Sequence, residues 1–121
     1  MFVTLLTLFV IKHFIADFVL QFNYMIEEKG RYLATGGVQH SAIHGILTYF
    51  ILLYFTNPHT ASMLALLDFV IHYHIDWAKM NLNKKLGWGP NTHEQFWWLL
   101  GLDQFLHAIT YILLVSTVIG A

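Results

Sequence analysis

The sequence predicts an all-α protein, a single domain over residues 1–121 that forms a bundle of four transmembrane helices. Two observations support this fold class. Hydrophobic residues make up 57% of the chain and charged residues only 11%, whereas soluble domains carry roughly 25% charged residues. Aromatic residues reach 17%, and aromatic rings favour the interfaces of a bilayer. The net charge of −1 excludes the basic surface that nucleic-acid-binding proteins carry.

Four apolar segments are each close to the ~20 residues that a membrane-spanning helix needs. The first starts at the N-terminus, MFVTLLTLFVI, which lacks the basic region and the cleavage site of a signal peptide. It is therefore interpreted as the beginning of a retained helix. The four predicted spans are residues 2–25, 37–56, 58–80 and 94–119.

The ends of these spans have recognisable local chemistry. Asn57-Pro58 provides an N-cap followed by a proline in the first turn of the third helix. Thr92-His93-Glu94-Gln95 matches a capping box at the start of the fourth helix. Gly36-Gly37 and Gly87-Trp88-Gly89-Pro90 are expected to break the chain between spans.

Basic residues predict the orientation of the bundle. Lys29 and Arg31 lie between the first and second spans, Lys84 and Lys85 lie between the third and fourth, and Lys79 is at the membrane edge. The loop between the second and third spans and both termini contain no Lys or Arg. By the positive-inside rule, both basic loops face the cytoplasm and both termini lie on the non-cytoplasmic side.

Each predicted span carries two His or Asp residues four positions apart. Residues at i and i+4 share one helix face, and the two histidines of the HExxH motif chelate a zinc at the same spacing. At 1.5 Å per residue from the cytoplasmic ends, all these side chains fall in one layer roughly 5–15 Å deep. The pairs are His13 and Asp17, His40 and His44, His72 and Asp76, and Asp103 and His107.

This set predicts a metal cluster in the bundle core. The chain has no cysteine, so any metal is held by imidazole and carboxylate groups. Five histidines and three aspartates exceed the three protein ligands of one catalytic zinc, which predicts two or three metal ions. Imidazole favours zinc, and mixed His/Asp ligation also admits manganese or iron. His74 is turned about 200° from His72 and is expected to point elsewhere.

Other polar residues are assigned to catalysis and substrate binding. Asp17, Asp76 and Asp103 are candidate catalytic residues, because an aspartate that does not bridge metals can accept a proton from water. Lys79, three residues after Asp76 on nearly the same face, is a candidate for binding phosphate, or else an interface lysine that snorkels. Two glutamines adjoin the ligand faces and are candidate donors to ligands or substrate: Gln21 and Gln104.

Three alternative roles for the intramembrane polar residues stay open. They can act as structural glue that hydrogen-bonds across helices. Haem ligation needs only two opposed histidines and leaves the aspartates without a role. A proton or ion pathway requires polar residues along the full membrane depth, whereas the outer half of these helices is mostly apolar, with Asp68 and Lys12 as the main exceptions.

Four ordered strings resemble one protein family: HFIADFVLQ at 13–21, HSAIH at 40–44, HYHIDWAK at 72–79 and DQFLH at 103–107. They resemble a family of small membrane proteins from bacteria and phages, unknown-function family 3307. The resemblance implies a four-helix fold in the bacterial inner membrane. More distantly, the pattern is similar to inner-membrane metal-dependent hydrolases, which look like helical zinc phospholipases C and P1-type nucleases with three zincs. Those soluble enzymes have an N-terminal Trp ligand that this sequence lacks, which argues against a third metal.

The leading hypothesis is a metal-dependent hydrolase in the cytoplasmic half of the membrane, acting on a phosphoester of a lipid or lipid-linked substrate. One alternative is a metal-binding or ion-translocating membrane protein without hydrolysis. Another is a non-enzymatic, phage-encoded interaction protein whose metal only holds four helices together. The expected partners are the lipid bilayer and a lipid-phosphate substrate, with no nucleic acid, and a homo-oligomer is compatible with the sequence.

Overall fold

The computed structural model describes residues 1–120, which form helices and turns with no β-strand in that range. The first helix, α1, continues without interruption into one π-helical turn, Ile15–Val19. The helices are α1 (Phe2–Phe14), α2 (Asn23–Glu28), α3 (Thr35–Leu52), α4 (Pro58–Leu86) and α5 (Glu94–Ile119).

The four long helices surround a common interior. α3 packs along α4, α4 packs against α5, and α1 contacts both α3 and α5, so the ring of helices closes. The short helix α2 packs on α3. At one end the interior is an apolar core, and at the other end it is filled by histidines and aspartates. The buried members of the apolar core are Leu5, Phe9, Leu52, Ala61, Leu64, Tyr111, Leu114 and Val115.

Two of the described helices are long and apolar enough to cross a membrane, residues 2–19 and residues 94–119. The other two long helices fall short of this test because they carry much of the polar interior. α3 has small and polar residues through its first half, and α4 contains Asp68, Asp76 and Lys79. The four-span topology and the side of the termini therefore stay predictions.

The first predicted span, residues 2–25, is wrong at its C-terminal end. The helix ends after the π turn, where the Leu20 N–H donates to the Ile15 carbonyl at 2.9 Å. A separate helix, α2, begins at Asn23. π turns of this kind insert one extra residue into a helix and often occur at functional sites. Here the turn contains Asp17.

The predicted chain break at Gly36 and Gly37 is wrong, because both residues lie in the first turn of α3. These two glycines allow the α2 segment to approach α3 closely. A Cβ on Gly36 would lie 2.9 Å from the Tyr24 carbonyl oxygen and 3.0 Å from the Met25 Cα atom. Only glycine lets α2 and the segment after it pack this closely on α3.

Other predicted boundaries are confirmed or corrected individually. Asn57 caps α4, since its Oδ1 accepts from the Thr60 N–H at 2.9 Å. α4 continues beyond the predicted residue 80 to Leu86 and is capped by Gly87, whose φ of 67° is left-handed. The capping box before α5 is wrong, because His93 is the N-cap and makes no side-chain capping bond.

Candidate metal centre

The four predicted residue pairs lie together at one level of the bundle interior. α1 with its π turn, α3, α4 and α5 each contribute one pair. Six of the eight side chains are buried, and those of His13 and Asp17 are 15% and 11% exposed. The His72 ring lies between the rings of His44 and His107, with centroid distances of 3.7 and 4.1 Å. The structure therefore brings all eight residues into one contiguous cluster.

One group within the cluster combines Asp17 with His40, His44 and His72. Each residue offers one ligand atom, and these four atoms lie within 4.8 Å of one another. Asp17 Oδ1 is 2.8 Å from His44 Nε2 and 3.2 Å from His40 Nε2. The Nε2 atoms of His40 and His72 are 3.2 Å apart. This group can hold one metal ion.

A second group combines His72, Asp76 and His107, whose ligand atoms also lie within 4.8 Å of one another. Asp76 Oδ2 is 3.1 Å from His72 Nε2, and Asp76 Oδ1 is 3.3 Å from His107 Nε2. Asp76 Oδ2 also lies 3.5 Å from His40 Nε2. The two groups therefore adjoin each other and share His72.

His13 and Asp103 contact the cluster but belong to neither group. His13 Nε2 lies 3.0 Å from Asp17 Oδ2, and His13 Nδ1 lies 2.6 Å from the Tyr111 hydroxyl. Asp103 Oδ1 lies 3.4 Å from His107 Nε2. Nothing in the sequence singles out Tyr111, which is one of many aromatic residues in an apolar helix. The assignment of His13 and Asp103 as metal ligands stays a prediction.

The spacing of donor atoms fits a bound metal. Two ligands about 2.1 Å from one tetrahedral zinc lie roughly 3.4 Å apart. The distances among the cluster's Nε2 and carboxylate atoms run from 2.8 to 3.5 Å. A small movement of the closest atoms away from one another would therefore meet the required geometry.

Unpaired polar atoms give a second indication of a cation. Asp76 Oδ2 and Asp103 Oδ1 are buried and have no hydrogen-bond partner among the described residues. A buried carboxylate oxygen without a hydrogen bond carries a desolvation cost. Lys29 Nζ and His107 Nε2, each 3.4 Å from one of these oxygens, reduce this cost, and a cation in the cluster would offset it further. The same is true of Asp68 Oδ1 outside the cluster, which also makes no hydrogen bond, so this indication is weaker than the spacing of the ligand atoms. Buried Nδ1 atoms also lack a partner on His40, His44 and His72. Each of these rings directs its Nε2 atom at the cluster.

Lys29 is a buried neighbour of the cluster, although its place in the sequence suggests only a loop charge. Its Nζ atom lies 3.4 Å from Asp76 Oδ2, and the residue is only 7% exposed. The segment after α2 folds back against α3, where Gly37 leaves room for the Lys29 backbone. A polar loop position contains no signal of this burial. Only the paired glycines, 36 and 37, hint at a close approach.

The three predicted substrate-binding residues lie beside the cluster. Lys79 Nζ is 3.3 Å from Asp103 Oδ2, so it is paired across helices with Asp103 and not with Asp76. Gln104 donates to Asp103 Oδ2 at 2.9 Å, and its Oε1 atom is 2.7 Å from His13 Nε2. Gln21 donates to the Asp17 main-chain carbonyl at 2.7 Å and so supports the backbone of that residue.

A cavity of about 280 Å³ opens onto this side of the cluster. Most of the side chains that line it are aspartates, lysines and glutamines, and two are apolar. Ammonium groups next to carboxylates in such a cavity suit an anionic ligand that also contacts a metal. The cavity is lined by Asp17, Phe18, Gln21, Lys29, Asp76, Lys79, Leu100, Asp103 and Gln104.

A separate buried ion pair lies one turn beyond the cluster towards the apolar core. Lys12 Nζ is 2.9 Å from Asp68 Oδ2, and both side chains are 1% exposed. Thr48 donates to the same oxygen at 2.6 Å, and Lys12 Nζ lies 4.6 Å from the centre of the Tyr111 ring. The sequence alone suggests no role for Asp68, and the structure identifies Lys12 as its partner.

His74 lies outside the cluster, as its position on the helix predicts. Its Nδ1 atom lies 2.7 Å from the Val70 carbonyl and its Nε2 atom 2.9 Å from the Tyr32 hydroxyl. His74 is therefore an exposed histidine on the same helix as His72, with no contact to the metal centre.

Comparison with known proteins identifies a family. No curated protein and no solved structure matches the chain, so no match supports the distant likeness to metal-dependent hydrolases. The family model described as "Protein of unknown function (DUF3307)" matches residues 5–121. This agrees with the resemblance carried by the four motifs, and the chain belongs to the DUF3307 family.

Proposed function

We propose that this protein is a membrane-embedded, metal-dependent hydrolase that cleaves a phosphoester of a lipid or lipid-linked substrate. One observation carries the proposal. Six convergent His and Asp ligands, arranged in two adjoining groups, lie beside a cavity that also exposes two lysines and a further aspartate. Metal ions and cations around one small polar cavity form a suitable site for a phosphate group.

The ligand count supports two metals with open positions. Asp17, His40 and His44 would hold one ion, and His72, Asp76 and His107 would hold the other. Each ion then has three protein ligands, the number that leaves a fourth position for water or substrate at catalytic zinc sites. Zinc is the first choice for such a donor set, and manganese or iron is also compatible.

Asp103 is the best-placed proton acceptor. It lines the cavity, its Oδ1 atom makes no hydrogen bond within residues 1–120 and lies 3.4 Å from His107 Nε2, and it belongs to neither ligand group. Metal ions bound beside it would acidify a water molecule and neutralise the phosphoryl oxygens. The water oxygen bonds to phosphorus as the bond to the leaving alcohol oxygen breaks. Asp103 takes the water proton and returns it to that oxygen, so the products are an alcohol and a phosphate.

The outer surface supports a position in the membrane. Large apolar side chains point outward from the bundle, including Phe18 at 72%, Phe50 at 58% and Leu113 at 62% exposure, while the interior carries the polar cluster. Such an arrangement suits four spans in a bacterial inner membrane, with the cluster towards the cytoplasm. Because the chain has no cysteine, single cysteines at exposed Arg31 and Lys84 should react only with a reagent on the cytoplasmic side.

Two features favour hydrolysis over the alternatives. An ion pathway would need polar groups through the whole bundle, but beyond Lys12 and Asp68 the interior is the apolar core around Phe9. A purely structural metal would be closed off by protein, but the cavity reaches Asp17, Asp76 and Asp103.

The decisive experiment measures metal content and phosphate release on the same samples. Detergent-purified protein should contain about two transition-metal ions per chain, as a two-metal hydrolase requires. It should release phosphate from phosphatidic acid in mixed micelles. Asp17→Asn should lower both metal content and turnover, whereas Asp103→Asn should abolish turnover and keep the metals. His59→Ala, at an exposed histidine in the first turn of the same helix, serves as the control and should change neither.

Protein that is folded and free of metal would contradict the metal centre itself. A metal-loaded protein that hydrolyses neither phosphatidic acid nor a polyprenyl phosphate would contradict the enzymatic proposal, and a structural metal would then be the better interpretation.

A further inference from the structure

A long apolar groove runs between α4 and α5 on the outer surface, with a volume of about 550 Å³. Lys79 and Asp103 line the groove near one end, with Leu82 and Leu99 beyond them, and both also line the cavity beside the metal centre. The groove and the cavity therefore adjoin each other at this charged pair. The remaining wall consists of His74 and of aliphatic side chains, among them Val70, Ile75 and Leu102.

We infer that this groove binds one acyl chain of a glycerophospholipid substrate whose anionic headgroup enters the cavity at Lys79. The inference rests on the proposed function and specifies its substrate class. The negative headgroup and the two positive lysines at the cavity determine which end of the lipid lies at the metal centre. The phosphate lies between the ammonium groups of Lys29 and Lys79, and the chain extends from Lys79 towards Val70.

The part of the groove between Lys79 and Val70 is about as long as one acyl chain within a leaflet. Lys79 and Val70 are nine residues apart on one helix, which corresponds to about 14 Å at 1.5 Å per residue. One leaflet of a bilayer contributes about 15 Å of the ~30 Å hydrocarbon core. A chain that starts at the headgroup level and ends near the midplane therefore fits the groove. A polyprenyl chain, which is much longer, would leave most of its length outside.

A second groove, between α3 and α4, provides an internal control. Its volume of about 530 Å³ is nearly the same, and apolar residues such as Ile46, Leu66 and Phe69 line most of its wall. No charged residue lines it, and it shares no residue with the metal-centre cavity. Any bilayer lipid can fill such a groove, but only the groove between α4 and α5 can hold a chain while its headgroup reaches the metals.

The test uses phosphatidic acid with a diazirine in its acyl chain, incorporated in phosphatidylcholine vesicles with the wild-type protein. After illumination, mass spectrometry maps the crosslinked residues. Crosslinks should concentrate on the wall between α4 and α5, and unlabelled phosphatidic acid should remove them. Equal crosslinking of both grooves, or loss of crosslinks only with a polyprenyl phosphate, would overturn the inference.

Two matched variants separate chain binding from chemistry. Leu102→Trp fills the groove between α4 and α5, and Leu66→Trp fills the control groove; the two leucines are 50% and 63% exposed. Leu102→Trp should raise the KM for phosphatidic acid at least tenfold, about 1.4 kcal/mol, and leave hydrolysis of water-soluble glycerol phosphate unchanged. Leu66→Trp should alter neither, and equal effects of the two variants would overturn the inference.

The two proposals fail in different ways. If no phosphate is released from any substrate but crosslinks still map to the groove between α4 and α5, the hydrolase assignment fails and the lipid site stands. If phosphate is released but crosslinks spread over both grooves, the hydrolase stands and the chain site is wrong.

Discussion

Leu5, Phe9 and Leu52 at one end of the bundle interior are 0% exposed, and His40 and His44 at the other end are equally inaccessible. The two ends have the same burial and opposite chemistry. In the proposed membrane position, apolar side chains gain little free energy by transfer from lipid to the interior, so close packing would hold the first group. The histidines and aspartates gain nothing from burial unless each polar atom finds a partner. Equal burial therefore indicates packing at one end and a binding site at the other.

The boundary between the two ends is a single charged layer. Lys12, Asp68 and Thr48 form a local network there, since the ammonium, the hydroxyl and Asp68 Oδ2 all lie within 3.1 Å of a partner, while Asp68 Oδ1 makes no hydrogen bond among the described residues. The cluster one turn away differs in its donor set, because ligand atoms of six His and Asp residues converge there in two groups. A lysine paired with one carboxylate is thus distinct from a convergent set of ligand atoms that could hold a cation.

The largest loss of metal content and stability is expected from substitution of His72, which belongs to both ligand groups. His72→Ala should lower metal content from two ions to one or none. Because a ligand held at a thousand times its Kd stabilises a fold by about 4 kcal/mol, the free energy of unfolding should fall by about that amount. Elemental analysis and denaturant unfolding in detergent measure the two quantities.

Removing the metal with a chelator tests whether His72 stabilises the protein through the metal. After metal removal, wild-type protein and His72→Ala should have similar stability, and His74→Ala should behave as wild type throughout. A variant that loses stability equally with and without chelator would show that His72 acts only by packing.

The next largest loss of stability is expected at the charged layer of Lys12 and Asp68 between the two ends. Lys12→Met leaves Asp68 charged and without its ammonium partner in the interior, which should cost about 3 kcal/mol, the lower end of the range for such losses, because Thr48 still donates to Asp68 Oδ2. The double variant Lys12→Met/Asp68→Leu should recover most of this loss, because replacing both partners by apolar groups removes the unpaired charge. Metal content should stay at the wild-type value in both, as measured by elemental analysis. Loss of metal in the single variant would mean that the boundary layer is part of the metal centre.

A smaller loss is expected in the apolar end. Leu52→Ala leaves a cavity among Leu5, Phe9 and Val115, and its cost should be near the lower limit of about 2 kcal/mol for such substitutions, because lipid competes well for apolar groups. Thermal unfolding with and without chelator measures it. The loss should be the same in both conditions, and dependence on metal would contradict the independence of the two ends.

The smallest loss is expected where α2 meets α3. Gly36→Ala introduces a Cβ within 3.0 Å of three groups of the α2 segment, one of them the end of the flexible Glu28 side chain. The loss should therefore be about 1 kcal/mol, the lower end of the range for overpacking. It should displace α2 and the Lys29 that follows it, so it should also raise the KM for the phosphate substrate. Gly101→Ala is the control, since its Cβ meets nothing within 4 Å; it should be neutral or stabilise by up to about 1 kcal/mol. Equal destabilisation by both variants would exclude close approach as the role of Gly36.

The ligand pairs could be predicted from the sequence because i, i+4 spacing fixes which side chains share a helix face. The relation of His13 to Asp17 survives even through a π turn, with Nε2 and Oδ2 3.0 Å apart. The end of the first helix could not be predicted, because the apolar run continues through the break at residues 20–22. Apolar residues suit both a helix and the lipid-facing surface, so the run contains no stop signal.

Local chemistry and spacing along single helices were enough to specify the all-helical class, the cap at Asn57, the chain break at Gly87 and the eight residues of the cluster. Contacts between helices were not specified in this way. Lys29 approaches Asp76, Lys79 pairs with Asp103 and not with Asp76, and His13 and Asp103 lie outside both ligand groups only because of the tertiary arrangement. The geometry of those contacts depends on how closely the helices pack, which no local pattern specifies; Gly36 and Gly37 permit the approach of α2 and Lys29 to α3.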